Sequence, residues 1–228
     1  MLGVIGGSGM YELFEREEKT IETPYGKANL TFCDNFGIVF IARHGKKHVI
    51  APHDINHKAN IFALSKSTGK ILSLSSVGII DKYSVGDLIL VEDFIGLFTS
   101  PLTYFDTPVH TAFENPYKLN SAVLLAAEKE KIELKKGGVL IGAVGPRLET
   151  AAEIKAMRIL GGNVVGMTTT YEAILANELK MEFANVVIGC NKAPASEKED
   201  MAQISSVVKE NEKSFNMLAK RLARDLME

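Results

Sequence analysis

The chain has 228 residues, 46% of them hydrophobic, and a formal net charge of −2. That is enough apolar material for a substantial core, and one domain over residues 1–228 is the expectation. The near-neutral charge and dispersed basic residues argue against nucleic-acid or anionic-membrane partners, and two distant cysteines, Cys33 and Cys190, argue against a disulfide scaffold. With no basic, apolar leader at the start and no run of membrane-spanning length, the expectation is a soluble cytoplasmic protein.

Residues 2–5 are a short apolar strand that breaks into Gly6-Gly7-Ser8-Gly9. Glycine accepts positive φ and lets a ligand approach the main chain, so the loop can aim N–H groups at an anion, with the Ser8 hydroxyl beside them. Residues 28–32 and 37–42 read as a hairpin, which makes the sheet mixed rather than purely parallel. Arg43-His44-Gly45 follows directly, a cation and an imidazole at a strand end, where α/β proteins hold ligands. The Arg43 guanidinium offers a fork of donors that fits phosphate. His44, His48, His53 and His57 do not read as a metal site, because Gly45 and Pro52 interrupt any helix and no carboxylate pattern completes one.

A helix is expected over residues 55–67, then strands at 70–75 and 87–91, the first ending at Ser75-Ser76. Residues 99–116 carry three prolines with Tyr104, Phe105 and Phe113, and read as a long ordered loop. Helix 118–130 and strand 138–143 lead to Gly145-Pro146-Arg147-Leu148-Glu149-Thr150, just ahead of helix 151–160. A carboxylate is favoured near a helix start by the dipole, yet Glu149 could also accept from an N–H of a heterocycle. Strand 164–167 ends in Met167-Thr168-Thr169-Thr170 before helix 170–179, with Glu172 in its first turn. Hydroxyls there are usually caps but can donate to an anion. Strand 186–190 closes on Asn191-Lys192, where an amide can both donate and accept. Helix 205–226 completes the chain. All these polar groups fall at strand ends that converge on one cleft.

Together these motifs resemble the trimeric nucleoside phosphorylases, which include purine nucleoside and methylthioadenosine phosphorylases. The resemblance runs in order through residues 4–9, 43–48, 56–64, 75–78, 86–87, 93–95, 110–116, 145–150, 166–178 and 191–192. It implies a three-layer α/β fold with a mixed, partly barrel-like sheet flanked by helices. It implies phosphorolysis of a purine N-glycosidic bond, with inorganic phosphate as co-substrate and no metal or organic cofactor. Ser8, Arg43, His44, Ser75 and Thr168 fall on phosphate-contacting positions, with Ser76 as the alternative to Ser75. Met167 falls where the family packs a methionine on the ribose. His110 matches a residue that reaches a neighbouring subunit's site, which implies a homotrimer or a dimer of trimers.

Glu149 and Asn191 match the base-reading pair of the 6-oxopurine enzymes. A Glu accepting from N1–H and an amide spanning N7 and O6 suit hypoxanthine or guanine, whereas adenine would leave a buried acceptor unpaired. Leu148 stands where the family stacks a phenylalanine on the base. Ile204 stands near the 5′ end of the sugar, where an apolar side chain suits a methylthio group. The combination points to inosine, guanosine or 5′-methylthioinosine. The alternatives are a methylthioadenosine phosphorylase and, from another class, a non-catalytic purine-binding protein on the same fold. A dinucleotide-binding dehydrogenase is disfavoured because Gly7-Ser8-Gly9 lacks the third glycine.

Overall fold

The β-branched, doubly apolar segments of the chain and one polar edge strand assemble into one nine-stranded mixed sheet among the described residues. The computed structural model describes residues 1–7, 10, 18–113, 117–194 and 201–228, the side chains of Lys47, Met201, Ala202 and Gln203 excepted. Its strands are β1 (Leu2–Gly6), β2 (Glu18–Thr23), β3 (Gly26–Cys33), β4 (Ile38–Ala42), β5 (Lys70–Ile79), β6 (Leu88–Phe98), β7 (Lys135–Ala143), β8 (Val164–Gly166) and β9 (Glu182–Lys192). The helices are α1 (His57–Ser65), α2 (Asn120–Lys129), α3 (Ala151–Ile159), α4 (Thr169–Glu178) and α5 (Met201–Asp225).

Five of these strands close on themselves. β5 pairs β8, β8 pairs β7, β7 pairs β6, β6 pairs β9, and β9 returns to β5. The remaining strands leave this barrel as a wing in the order β5-β1-β4-β3-β2. Closure removes the exposed edges that an open sheet of this apolarity would present. β9 is buried along nearly its whole length, as a strand covered on both faces must be.

Helices cover the two faces and give three layers. On one face, α2 and α5 pack Val123, Ala126, Phe215, Leu218 and Leu222 onto Leu72, Leu74, Val186 and Ile188. On the other, α1 and α4 pack Ile61, Leu64, Ala173 and Leu175 onto Ile5, Val39, Ile41 and Ile71. In α5 the fully buried positions 208, 215, 218, 219 and 222 follow the helical period, the apolar stripe that its packing requires. No helix among the described residues is long and apolar enough to cross a membrane.

The expected mixed sheet and the β3–β4 hairpin are present, with the connecting turn closed by Gly37 at φ 64. β2 was not expected from the sequence. It is a polar edge strand, Glu-Lys-Thr-Ile-Glu-Thr, that pairs β3 across a turn in which Gly26 has φ +111. Its register comes from that pairing, since its own residues carry little apolar alternation.

The barrel and the wing separate at one point, and this positions the site. One edge of β5 pairs β1 through residues 71–74 and β8 through residues 78–79. Between these pairings, Ser75, Ser76 and Val77 have no strand partner on that edge among the described residues. A fork in a sheet leaves main-chain groups and side chains free to meet a ligand.

Candidate functional site

The fork opens a cavity of about 250 Å³. Lining it are Arg43 and His44 just after β4, Ser75 and Ser76 in the middle of β5, and Cys190 and Asn191 at the end of β9. β8 arrives antiparallel to β5, so Met167 and Thr168 run back alongside Ser76 and Ser75. Pro146, Leu148 and Glu149 enter ahead of α3, and Ile204 enters from α5. Of the residues to which the family resemblance gives a site role, all but two line this cavity. Ser8 lies outside the described residues. His110 lies on the exposed stretch after β6, away from the cavity walls of its own chain.

Arg43 is 1% exposed and its donors are largely committed. Nε donates to Glu172 Oε1 at 2.6 Å, and Nη2 donates to Glu172 Oε2 at 3.1 Å and to Ser73 Oγ at 2.8 Å. Nη1 donates to the Leu74 carbonyl at 3.0 Å, and its second hydrogen has no partner among the described residues. The fork of donors expected for phosphate is therefore occupied by Glu172. Gly7 packs directly on Nη1, so close that a Cβ there would collide with the guanidinium. A glycine at position 7 is needed by this contact whatever the loop binds.

His44 is equally buried. Its Nδ1 lies 2.9 Å from the Ile50 carbonyl, which can only accept, so Nδ1 carries the proton and Nε2 is left as an acceptor. Burial, then the neighbouring Arg43 charge, lowers its pKa from 6.5 to about 4. The ring stacks on His48 with centroids 4.4 Å apart. Behind it, His57 is also lowered to about 4 by burial, and neither of its ring nitrogens has a hydrogen-bond partner among the described residues. Both imidazoles are neutral at pH 7.

The two helix starts at the cavity differ in a telling way. Thr150 caps α3 in a full capping box with Glu153, and Arg147 forks onto the same Glu153 at 2.7 and 2.8 Å. With the cap made by Thr150, Glu149 is left to face the cavity, and burial raises its carboxyl pKa. Thr168 holds the N-cap position of α4, yet its hydroxyl does not cap the helix. The capping role that a threonine there would ordinarily play is therefore not made, and its hydroxyl remains available to a ligand.

At the opposite wall, Asn191 sits where the β5–β9 register shifts, opposite Gly78. Its Nδ2 donates to the Lys192 carbonyl at 3.1 Å, which leaves Oδ1 as an acceptor. Cys190 lines the same wall, but burial holds its thiol near 12, so it is inert. Leu148 is 52% exposed and presents an apolar edge.

Sequence reasoning missed Glu172 and Ser73 as partners of Arg43. Glu172 was visible in the first turn of α4, but nothing local ties it to a residue 129 positions away.

The family model described as the phosphorylase superfamily matches residues 1–224. The chain is 40% identical over 202 residues to a probable S-methyl-5′-thioinosine phosphorylase of Methanopyrus kandleri, covering 84% of this chain and 78% of that protein. It is 39% identical over 210 residues to a 6-oxopurine nucleoside phosphorylase of Pyrococcus furiosus, covering 84% and 79%. In fold it is similar to a methylthioadenosine phosphorylase from Schistosoma mansoni in complex with adenine. The TM-score is 0.87 at 22% identity, covering 100% of this chain and 92% of that one.

Proposed function

This chain belongs to the phosphorylase superfamily, and from that premise we propose that it catalyses reversible, phosphate-dependent cleavage of purine nucleosides to free base and ribose 1-phosphate. The observation that carries the reading is the division of one cavity. Hydroxyls, one Arg43 N–H and a neutral imidazole gather at the fork, while a carboxyl and an amide stand at the base end.

In this reading Ser75 or Ser76, Thr168, the remaining Arg43 Nη1 hydrogen and His44 hold phosphate below the sugar, with Met167 packed on the ribose. Ser8 is placed there by family resemblance. The neutral His44 takes a hydrogen bond from a protonated phosphate oxygen. As the bond from C1′ to the purine nitrogen breaks, a phosphate oxygen forms the new bond to C1′ and the electron pair passes to the base. Aimed donors that hold the nucleophile in line lower the barrier by orientation and by stabilising charge where it develops. A proton delivered to N7 from solvent water neutralises the departing base, and Asn191 Oδ1 accepts that N7–H. Because phosphate supplies both nucleophile and counter-charge, the route calls on no cofactor.

Glu149, accepting from N1–H, selects 6-oxopurines. Leu148 and Ile204 offer apolar contacts to the base and to a 5′-methylthio group, so inosine, guanosine and 5′-methylthioinosine are the proposed substrates. We place His110 in a neighbouring subunit's site within a homotrimer or dimer of trimers. A cytoplasmic setting fits Cys33 and Cys190, which remain buried thiols.

The test is phosphate-dependent release of hypoxanthine from inosine, followed by kcat/KM for inosine, methylthioinosine and methylthioadenosine. Preference for methylthioadenosine would sink the base assignment. Tight purine binding with no cleavage would favour a non-catalytic binding protein.

A further inference from the structure

We propose that Glu172, together with Ser73, is a positioning residue that fixes Arg43 so that a single Nη1 hydrogen meets phosphate. The inference rests on the phosphate reading above. The three side chains form a closed, buried ring. Arg43 Nε and Nη2 donate to the two Glu172 oxygens, Nη2 also donates to Ser73 Oγ, and Ser73 Oγ donates to Glu172 Oε2 at 2.6 Å. None of the three is more than 2% exposed.

The anchors belong to the same elements that present the other phosphate donors. Glu172 lies in the first turn of α4, one turn beyond Thr168, and Ser73 and the Leu74 carbonyl immediately precede Ser75 on β5. The ring therefore sets the guanidinium relative to both hydroxyls at once. A displaced Arg43 would lose register with each of them.

The ring also settles the charge of the fork. Glu172 balances Arg43, while His44 and His57 are neutral, so these residues offer phosphate aimed donors rather than a net positive field. Affinity then depends on orientation, which is the property the Glu172 carboxylate supplies. A buried ion pair kept only for the fold would give up stability when broken and leave substrate selectivity untouched.

The experiment measures KM for phosphate and for inosine in Glu172→Gln, Ser73→Ala, Arg43→Met and the Arg43→Met/Glu172→Gln double variant. Thermal shift on adding inorganic phosphate alone is read for each. Glu172→Gln is expected to raise the phosphate KM about tenfold or more, with the inosine KM within about twofold, from losing a charged hydrogen-bond partner. Ser73→Ala keeps the ion pair and is expected to move the phosphate KM in the same direction by about threefold. In the Arg43→Met background, Glu172→Gln is expected to add nothing further, because it acts through the arginine. The proposal is overturned by equal rises in both KM values, by independent effects in the double variant, or by an unchanged phosphate KM. Should Glu172→Gln not fold, the Ser73→Ala split decides alone. If the unsubstituted protein shows no phosphate-dependent cleavage, the functional reading falls and this inference with it. Normal cleavage with the wrong split removes only the inference.

Discussion

Acidification should destabilise this protein through its buried histidines. In the folded chain His57 is lowered from 6.5 to about 4 because burial disfavours the imidazolium. The unfolded chain therefore binds a proton that the folded chain refuses. Stability is intact above about pH 6.5 and is lost as the pH falls towards about 4. At about pH 5 the unfolded imidazole is almost fully protonated and the folded one is not, which costs about 2 kcal/mol for His57 relative to neutral pH. His44, also lowered to about 4, adds a slope of the same sign. Glu153, held down to about 2 by Arg147 and the Thr150 amide, keeps its contribution until the pH drops below 4.5. Glu149, raised by burial, acts in the opposite sense, since protonation favours its folded form. Urea denaturation between about pH 7 and 5 should show falling midpoints, and His57→Leu should flatten the slope, with His44 and His48, the latter also lowered by burial, keeping the rest. A flat profile across that window, or an unchanged slope in His57→Leu, would refute the reasoning.

Other consequences follow from the same geometry. Gly7→Ala should raise the phosphate KM and lower the melting temperature, because its methyl must displace a guanidinium pinned by Glu172, Ser73 and Leu74; an unperturbed variant would show that the ring is not rigid. Leu148→Phe restores a stacking face beside the base and should lower the inosine KM about two- to tenfold, from a stacking gain of about 0.5–1.5 kcal/mol; no change would place the base elsewhere in the cavity. Selectivity for inosine over adenosine should weaken as the pH falls, because the raised Glu149 carboxyl, once protonated, can donate to the bare N1 of adenine. The ratio of the two kcat/KM values against pH measures it, and a constant ratio would remove Glu149 from base recognition.

Much of the architecture was legible because it rests on local pattern. Apolar runs such as Leu2–Gly6 and the 3.6-residue stripe of α5 identify buried strands and a helix without reference to anything distant. Polar β2 escaped detection because its state is imposed by its partner. At the site, the order of the motifs predicts one cavity for Arg43, His44, Ser75, Thr168, Glu149 and Asn191, and all six line one cavity. Their use was less legible. Thr150 and Thr168 occupy equivalent positions at helix starts, yet only Thr150 caps, and nothing in the two local sequences distinguishes a committed hydroxyl from a free one.

By itself the sequence determined which chemistries the chain can bring: hydroxyls, an arginine, imidazoles, a carboxyl and an amide at strand ends. It also determined the strands and helices that carry them, since hydrophobic period and turn residues act over a few positions. Only the tertiary structure decided how those groups are committed. The closing of five strands and the departure of β1 from β5 create the fork. Across it Glu172 meets Arg43 from 129 residues away and takes the donors that the sequence alone would have assigned to phosphate. Hydrogen-bond capacity is a property of a residue, but its allocation depends on which partners the fold brings within 3 Å.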